Sequence, residues 1–144
     1  MSTEKPVQRS DYKRFFPIIT RWMDNDIYGH VNNVTYYSYF DSAVNRYLIE
    51  EGGLNIHDAP VVGFVVNSHC NYLAPIAYPD AIEVGLRVNK LGNSSVTYGV
   101  AIFKEGEEKA CAYGDFIHVF VERAANKSVA IPDGIRNALA ELVI

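Results

Sequence analysis

Residues 24–41 read DNDIYGHVNNVTYYSYFD and join a polar loop to the start of a long helix. From residue 33 to about residue 51 the chain contains neither Gly nor Pro, and Asn32 or Asn33 is suited to cap the helix N-terminus. Gly52 and Gly53 follow as a stop signal. We therefore predict one long helix over residues 33–51, fed by a polar loop.

Apolar residues recur along this helix at helical spacing and predict a wide buried face. The central stripe consists of Val34, Tyr37, Val44 and Leu48, and the adjoining faces carry Tyr36, Phe40, Ala43 and Tyr47. Asp41 falls in the central stripe, where a carboxylate is costly unless it is paired or hydrogen-bonded. We expect the rest of the chain to cover most of the helix.

The remainder of the chain is rich in β-branched and aromatic residues, which favour strands. The predicted strands cover residues 12–20, 61–73, 81–89, 95–104 and 109–121. Gly92-Asn93 and Glu105-Gly106 are typical of tight hairpins and favour antiparallel pairing. A short helix opens at Pro132 and Asp133. The sum predicts an α+β fold in which an antiparallel five-stranded sheet wraps around one long central helix, followed by a short C-terminal helix.

Length and composition limit the classes of function that this chain can have. The 144 residues suit a single domain, which we assign to residues 12–144 after a flexible N-terminal segment over residues 1–11. The net charge of −4 argues against nucleic acid as a partner, and the chain has neither a secretory signal nor an apolar stretch long enough to span a bilayer. Cys70 and Cys111 have neither CxxC spacing nor the density of a disulfide scaffold, which favours free thiols. We therefore expect a cytoplasmic protein without membrane insertion.

The densest polar cluster, residues 24–33, lies just before the predicted helix. Free backbone N–H groups and the positive end of the helix dipole at this point can polarise a carbonyl oxygen, and a nearby carboxylate can act as nucleophile or general base. Asp24 and Asp26 could equally be solvated turn residues, with His30 as a local capping group. The residue types alone leave both interpretations open.

Metal and nucleotide motifs do not fit this sequence. The loop from Asp24 matches the first positions of a calcium loop, but Tyr28 and Thr35 stand where oxygen ligands are needed. The four His residues are scattered without zinc-site spacing, and the glycine-rich nucleotide and nucleophile-elbow motifs are absent. We predict neither a metal nor a cofactor.

Residues 24–36, followed by Tyr39-Phe40-Asp41, resemble the signature of hotdog-fold acyl-CoA thioesterases of the 4-hydroxybenzoyl-CoA thioesterase branch. The resemblance continues through Leu73-Ala74-Pro75, Pro79-Asp80 and residues 90–95. It implies a hotdog fold and hydrolysis of an acyl-CoA or acyl-carrier-protein thioester. It also implies a homodimer or homotetramer with the active site at the subunit interface.

The resemblance places Asp26 on the catalytic carboxylate of this branch and the backbone of Val31, Asn32 and Asn33 where the thioester carbonyl is polarised. His30 matches a histidine of the related plant acyl-carrier-protein thioesterases. Those enzymes carry Asn where this chain has Tyr28, which becomes a substrate-binding candidate here. His30 is thus either catalytic or a structural hydrogen-bonding group.

Three further positions complete the candidate site. Asp41 aligns with an acidic helix position of the family, and either takes part in the chemistry or anchors the loop through a hydrogen bond. Tyr36 either lines an acyl pocket or packs in the core. Lys90 and Ser94 lie in a turn that contacts the CoA phosphates in family members, and a solvated hairpin explains them equally well.

The resulting hypothesis is an acyl-CoA thioesterase. Asp26 would attack the thioester carbonyl or activate a water molecule, and helix N-terminal amides would stabilise the oxyanion. Two alternatives remain open from the sequence, a hotdog hydratase or dehydratase that leaves the C–S bond intact and a non-catalytic acyl-CoA binding module.

Overall fold

The computed structural model describes residues 7–144 of the chain. Its strands are β1 (Arg14–Ile19), β2 (Val61–Tyr72), β3 (Ala81–Leu91), β4 (Ser95–Lys104), β5 (Ala112–Glu122) and β6 (Lys127–Ser128). Its helices are α1 (Thr35–Glu50) and α2 (Asp133–Ala140). The predicted order of strand, long helix, four strands and short helix is confirmed, with the two-residue β6 as an addition.

All strand pairs within the described residues are antiparallel, and the sheet has the order β1-β3-β4-β5-β2 with β6 paired to β5. The sheet wraps around α1, whose buried side chains form one core cluster with residues from β1, β3, β4 and β5. The predicted α+β architecture, an antiparallel sheet around one long helix, is confirmed.

The buried face of α1 differs from the predicted stripe. Its buried residues are Tyr36, Tyr39, Phe40, Ala43, Val44, Tyr47 and Leu48. Val34 precedes the helix and is 70% exposed, and Asp41 also lies on the exposed side. The placement of Asp41 in a buried stripe is therefore wrong. Aromatic residues occupy several faces of this helix, so the sequence pattern alone does not fix which arc meets the sheet.

The start of α1 also differs from the prediction. The N-cap position is Val34 and lacks a side-chain cap, whereas Asn32 or Asn33 was expected there. The Asn32 side chain still serves the helix start, because its Oδ1 accepts a hydrogen bond from the Val34 N–H at 3.0 Å. Asn33 therefore lies outside the helix, directly before the N-cap residue Val34.

The predicted strand over residues 109–121 begins later, at Ala112. The residues before it pair with the N-terminal segment instead, since the Arg9 N–H donates to the Glu108 carbonyl and the Ala110 N–H to the Val7 carbonyl. The Arg9 guanidinium also forms an ion pair with Glu83 at 2.9 Å. Of the segment predicted to be flexible, residues 7–11 make these contacts, and residues 1–6 lie outside the described residues.

Strand β2 lies at one edge of the sheet and pairs only with β5 among the described strands. Its 12 residues include Phe64, Val65 and Val66, which are 48%, 46% and 59% exposed. An edge strand normally protects itself with Lys, Pro or a very short length. β2 is long and contains neither Lys nor Pro, although its register with β5 shifts between Val65 and Asn67, so it presents an exposed edge whose first half is apolar.

His118 is buried in the core beside Tyr98, whose hydroxyl lies 3.2 Å from the His118 Nδ1. Burial lowers the pKa of His118 from 6.5 to about 4, so the ring is neutral in the folded protein. The unfolded chain binds the proton more tightly. The resulting stability is therefore fully present above pH 6.5 and is lost as the pH falls from there towards 4.

We expect the free energy of unfolding to fall by about 3 kcal/mol over this range because of His118, at about 1.36 kcal/mol per pKa unit. Urea unfolding at a series of pH values measures the slope. His118→Gln keeps a hydrogen-bonding side chain but does not titrate, and it should flatten the curve above pH 5. An unchanged slope in this variant would assign the dependence to other groups.

Candidate active site

The loop before α1 folds back on itself around Gly29. The Asp26 N–H donates to the His30 carbonyl at 2.9 Å, and the Gly29 N–H donates to the Asp26 carbonyl at 3.1 Å. Gly29 has a φ of 83°, a left-handed conformation that side chains other than Gly rarely adopt. This turn projects residues 26–30 from the body of the protein as a compact tip.

Asp24 anchors the base of this loop. It is only 3% exposed, and its carboxylate accepts hydrogen bonds from the Tyr39 hydroxyl at 2.6 Å and from the backbone and guanidinium of Arg21. Burial raises the pKa of Asp24, but these hydrogen bonds outweigh burial and hold it below the ordinary value. The interpretation of Asp24 as a solvated turn residue is therefore wrong. The contact with Tyr39 on α1 had no signal in the sequence, because it joins residues 15 positions apart.

Asp26 has a different environment from Asp24. Its side chain is half-buried, accepts the Tyr28 N–H at 2.9 Å and has no ion-pair partner among residues 7–144. It lines a cavity of about 530 Å³ whose other walls are Trp22, Met23, Asn25, Ile27 and Gly29. Trp22, Met23 and Ile27 supply an apolar rim, since each is largely exposed. Asp26 is thus a free carboxylate beside an apolar opening.

The three backbone amides predicted to bind an oxyanion are not equivalent. The Val31 N–H donates to the Ile76 carbonyl at 2.7 Å, and the Asn32 N–H donates to the Asp24 carbonyl at 2.9 Å. The Asn33 N–H makes no hydrogen bond within the described part of the chain. It stands at the N-terminus of α1, where the helix dipole favours negative charge. Asn33 is therefore the only one of the three with an N–H free to receive an oxyanion in this chain.

A second cavity, of about 300 Å³, adjoins the Asn33 amide. It is lined by His30, Val31, Asn33, Tyr36, Tyr72, Leu73, Ala74 and Pro75. His30 is exposed, and its ring has no side-chain hydrogen bond among residues 7–144. Tyr36 is buried, and its ring packs edge to face on Tyr72 at a centroid distance of 5.0 Å. His30 and Tyr36 thus line the same cavity as Asn33, while Tyr28 is 82% exposed on the loop tip.

Asp41 lies apart from this cavity. Its carboxylate accepts a hydrogen bond from the Asn45 side chain at 3.0 Å on the exposed face of α1. It bonds neither to the loop nor to a tyrosine, so a loop-anchoring role for Asp41 is wrong. Asp24 performs that anchoring instead.

Lys90 and Ser94 are also separate from Asp26 within one chain. Their turn contacts α2, because Arg136 donates hydrogen bonds to the carbonyls of Gly92 and Asn93 at 2.8 Å. α2 in turn packs on the C-terminal half of α1 through Tyr47. The 16-residue α1 is about 24 Å long, so this turn and the Asp26 loop lie towards opposite ends of the helix.

Within residues 7–144, no three side chains of His, Cys, Asp or Glu come together as a metal-binding group. The helices described here are too short or too polar to cross a bilayer.

Several known proteins are similar to this chain in sequence or in structure. The sequence profile of the thioesterase-like superfamily matches residues 20–139. The crystal structure of the Pseudomonas aeruginosa protein PA5185 is 60% identical, with a TM-score of 0.95 over 96% of this chain and 97% of that one. The long-chain acyl-CoA thioesterase FadM of Escherichia coli is 25% identical over 82% of this chain and 90% of its own length.

A more distant structure shares the fold. The 1,4-dihydroxy-2-naphthoyl-CoA thioesterase of Synechocystis is 16% identical, with a TM-score of 0.80 over 89% of this chain and 96% of that one. The predicted hotdog fold is thereby confirmed.

Proposed function

This chain belongs to the thioesterase-like superfamily, and we propose on that basis that it hydrolyses an acyl-CoA thioester to a carboxylic acid and free CoA. The observation that carries the proposal is that a single loop bears both a carboxylate without an ion-pair partner, at one cavity, and an amide without a hydrogen-bond partner, at the neighbouring cavity. Asp26 has no ion-pair partner among the described residues, and the Asn33 N–H, at the start of α1, has no hydrogen-bond partner there. Together they supply an attacking or activating group and an oxyanion donor.

The Asp26 carboxylate has two routes to the same products. As a nucleophile it attacks the thioester carbonyl, the C–S bond breaks, CoA leaves as the thiolate, and water then hydrolyses the mixed anhydride. As a general base it takes a proton from water, whose oxygen attacks the carbonyl directly. In both routes the Asn33 N–H and the helix dipole stabilise the oxyanion that develops.

A single turnover in ¹⁸O-labelled water separates the two routes. Nucleophilic attack places label in the Asp26 side chain after hydrolysis of the anhydride at that carboxyl. A general-base route places label only in the released acid, as does attack of water on the acyl carbonyl of the anhydride, so label in Asp26 is the result that identifies the nucleophilic route. Mass spectrometry of the peptide that contains Asp26 reads the difference.

The remaining residues around the loop have proposed binding roles. His30 lines the cavity beside Asn33 and can orient the thioester through its free ring nitrogens. Tyr36 forms part of the wall of that cavity, and the exposed Tyr28 on the loop tip can contact the substrate as it enters. The apolar opening beside Asp26 suits the acyl part of the substrate better than the charged CoA part.

We further propose that the protein acts as a homodimer, alone or within a homotetramer, through the free edge of β2. The exposed apolar residues of β2 and its unpaired backbone groups favour a second copy of the same strand in antiparallel pairing. Such pairing buries the edge and extends the sheet across both copies. Neither Pro nor Lys interrupts the strand to oppose this contact.

Register within the chain suggests how the second copy completes the site. The Tyr72 end of β2 lies beside Asn33, while Phe64 pairs with Val119, which pairs with Ser95 at the end of the 90–95 turn. Antiparallel pairing brings the Phe64 end of the second copy alongside the Tyr72 end of the first. The turn that contains Lys90 and Ser94 in one copy then lies at the same end of the dimer as the Asp26 loop of the other copy. From there its side chains can reach the phosphates of a CoA bound at that loop.

The decisive experiment follows thiol release from a panel of short, long, branched and aromatic acyl-CoA thioesters, with an acyl-carrier-protein thioester included. Release of free thiol with stoichiometric acid supports a thioesterase. Loss of enoyl absorbance without thiol release would indicate a hydratase. Ligand-induced thermal stabilisation without turnover on any member of the panel would indicate a binding module, and either result would overturn the proposal.

A further inference from the structure

The carbonyl group of Asn33 has an unusual partner. At the start of an α-helix, a carbonyl in this position would accept from the N–H four residues later, but the Tyr37 N–H donates to Val34 instead, at 3.2 Å. The only donor to the Asn33 carbonyl among the described residues is the Tyr72 hydroxyl, at 2.9 Å. A side chain from β2 therefore takes the place of a helical hydrogen bond.

Tyr72 is held in place from two sides. Its backbone pairs with Ala112 at the end of β2, and its ring packs edge to face on the buried Tyr36 of α1. Burial raises the pKa of Tyr72 above its ordinary value, which keeps the hydroxyl protonated and able to donate. Tyr72 is 45% exposed, and its backbone and ring contacts direct the hydroxyl from the sheet to the loop.

The same residue, Asn33, carries the unpaired N–H proposed to bind the oxyanion. Without Tyr72, the peptide plane that carries the Asn33 carbonyl would be held only by the bond from the Val34 N–H to the Asn32 Oδ1, and the carbonyl would be able to accept the Tyr37 N–H of a regular helical turn. Such a turn changes φ and ψ of Asn33 and so moves its N–H relative to the reacting carbonyl. Oxyanion stabilisation depends on a donor that is already in place, so even a small rotation of the Asn33 N–H lowers the rate of the reaction strongly.

We infer that Tyr72 is a positioning residue, whose hydroxyl holds Asn33 outside the helix with its N–H available to the reacting carbonyl. This role rests on the proposed thioesterase function. Tyr72 also lines the cavity beside Asn33, but the positioning role belongs to its hydroxyl, which donates to the backbone of the loop. It also links the active-site loop to β2, the strand at the free edge of the sheet.

The test compares Tyr72→Phe with wild type and with Tyr113→Phe. Tyr113 lies half-buried on the outer face of β5, and its hydroxyl makes no hydrogen bond within residues 7–144. Tyr72→Phe keeps the ring and its packing on Tyr36. We expect kcat for thiol release to fall about tenfold, the size of one lost positioning hydrogen bond, with KM within about twofold of wild type.

Amide hydrogen exchange gives a second readout that needs no turnover. The Val34 and Thr35 N–H groups donate to the Asn32 side chain and carbonyl in this turn. We expect both to exchange faster in Tyr72→Phe and to be unchanged in Tyr113→Phe.

The outcomes separate the inference from the proposed function. A wild-type protein that releases no thiol overturns the proposed function, while the exchange readout still tests the tether itself. A Tyr72→Phe variant with wild-type kcat overturns the positioning role, as does one in which KM alone rises. Faster exchange together with a kcat-specific loss supports it.

Discussion

Replacement of Asp26 by Asn is expected to lower kcat/KM for thioester hydrolysis by on the order of 10³-fold while leaving the fold intact. An amide is neither a nucleophile towards a thioester nor a base towards water, so both proposed routes fail. The side-chain oxygen of Asn can still accept the Tyr28 N–H, so the loop turn survives. Asp26 has no ion-pair partner among the described residues that its replacement would leave unpaired.

The measurement is thiol release with the best acyl-CoA of the panel, alongside circular dichroism and thermal unfolding. Glu105→Gln is a suitable control, because Glu105 is an exposed carboxylate in the connection between β4 and β5. It removes one negative charge from the protein without touching the loop. Near wild-type hydrolysis by a folded Asp26→Asn protein would remove Asp26 from the mechanism.

The contrast between Asp24 and Asp26 explains why the two carboxylates of one motif have different tasks. Asp24 is buried, ionised and fully engaged by Tyr39 and Arg21. That arrangement stabilises the loop, but it leaves no lone pair directed at a substrate. Asp26, two residues later, is the first residue of the turn, and its carboxylate accepts only the Tyr28 N–H among the described residues. The anchored residue thus fixes the position of the available one.

The sequence indicated the fold, and it gathered the candidate site residues in one loop, because both inferences depend on local features. The change from a polar loop to a Gly-free and Pro-free helix, and the alternation in the strands, are properties of neighbouring residues. Asp26 and Asn33 lie in the motif itself. These elements are accordingly found close to their predicted positions.

Features that depend on long-range packing could not be predicted in the same way. The arc of α1 that meets the sheet is decided by the whole core, and this is why the sequence pattern places Asp41 in the buried stripe although it lies on the exposed side. The hydrogen bonds from Tyr39 to Asp24 and from Tyr72 to Asn33 join residues 15 and 39 positions apart. The separation of Lys90 from Asp26 also follows only from the three-dimensional arrangement of the helices.

Substitutions at the free edge of β2 are expected to have the second large effect, a loss of both dimerisation and activity. The double substitution Phe64→Lys with Val66→Lys is expected to convert a dimer into monomers and to lower hydrolysis by about 100-fold. In the proposed antiparallel pairing both positions lie in the edge that the second copy covers, so each copy would place two charged side chains in the seam, where edge lysines oppose strand pairing. Both residues are about half exposed in the single chain, so the substitution removes little core packing.

Light scattering coupled to size-exclusion chromatography measures the mass, and thiol release measures the activity of the same fractions. Ile144→Lys is the matched control, since Ile144 is 63% exposed at the C-terminus and lies away from β2. It should leave both mass and activity unchanged.

A folded monomer with full activity would contradict an active site shared between copies, because each chain alone would then position Asp26, Asn33 and the CoA contacts. A double variant that remains a dimer would instead show that the copies associate through another surface. A fall of the measured mass to that of a monomer, together with loss of activity, is the result expected when the second copy supplies the Lys90 and Ser94 turn.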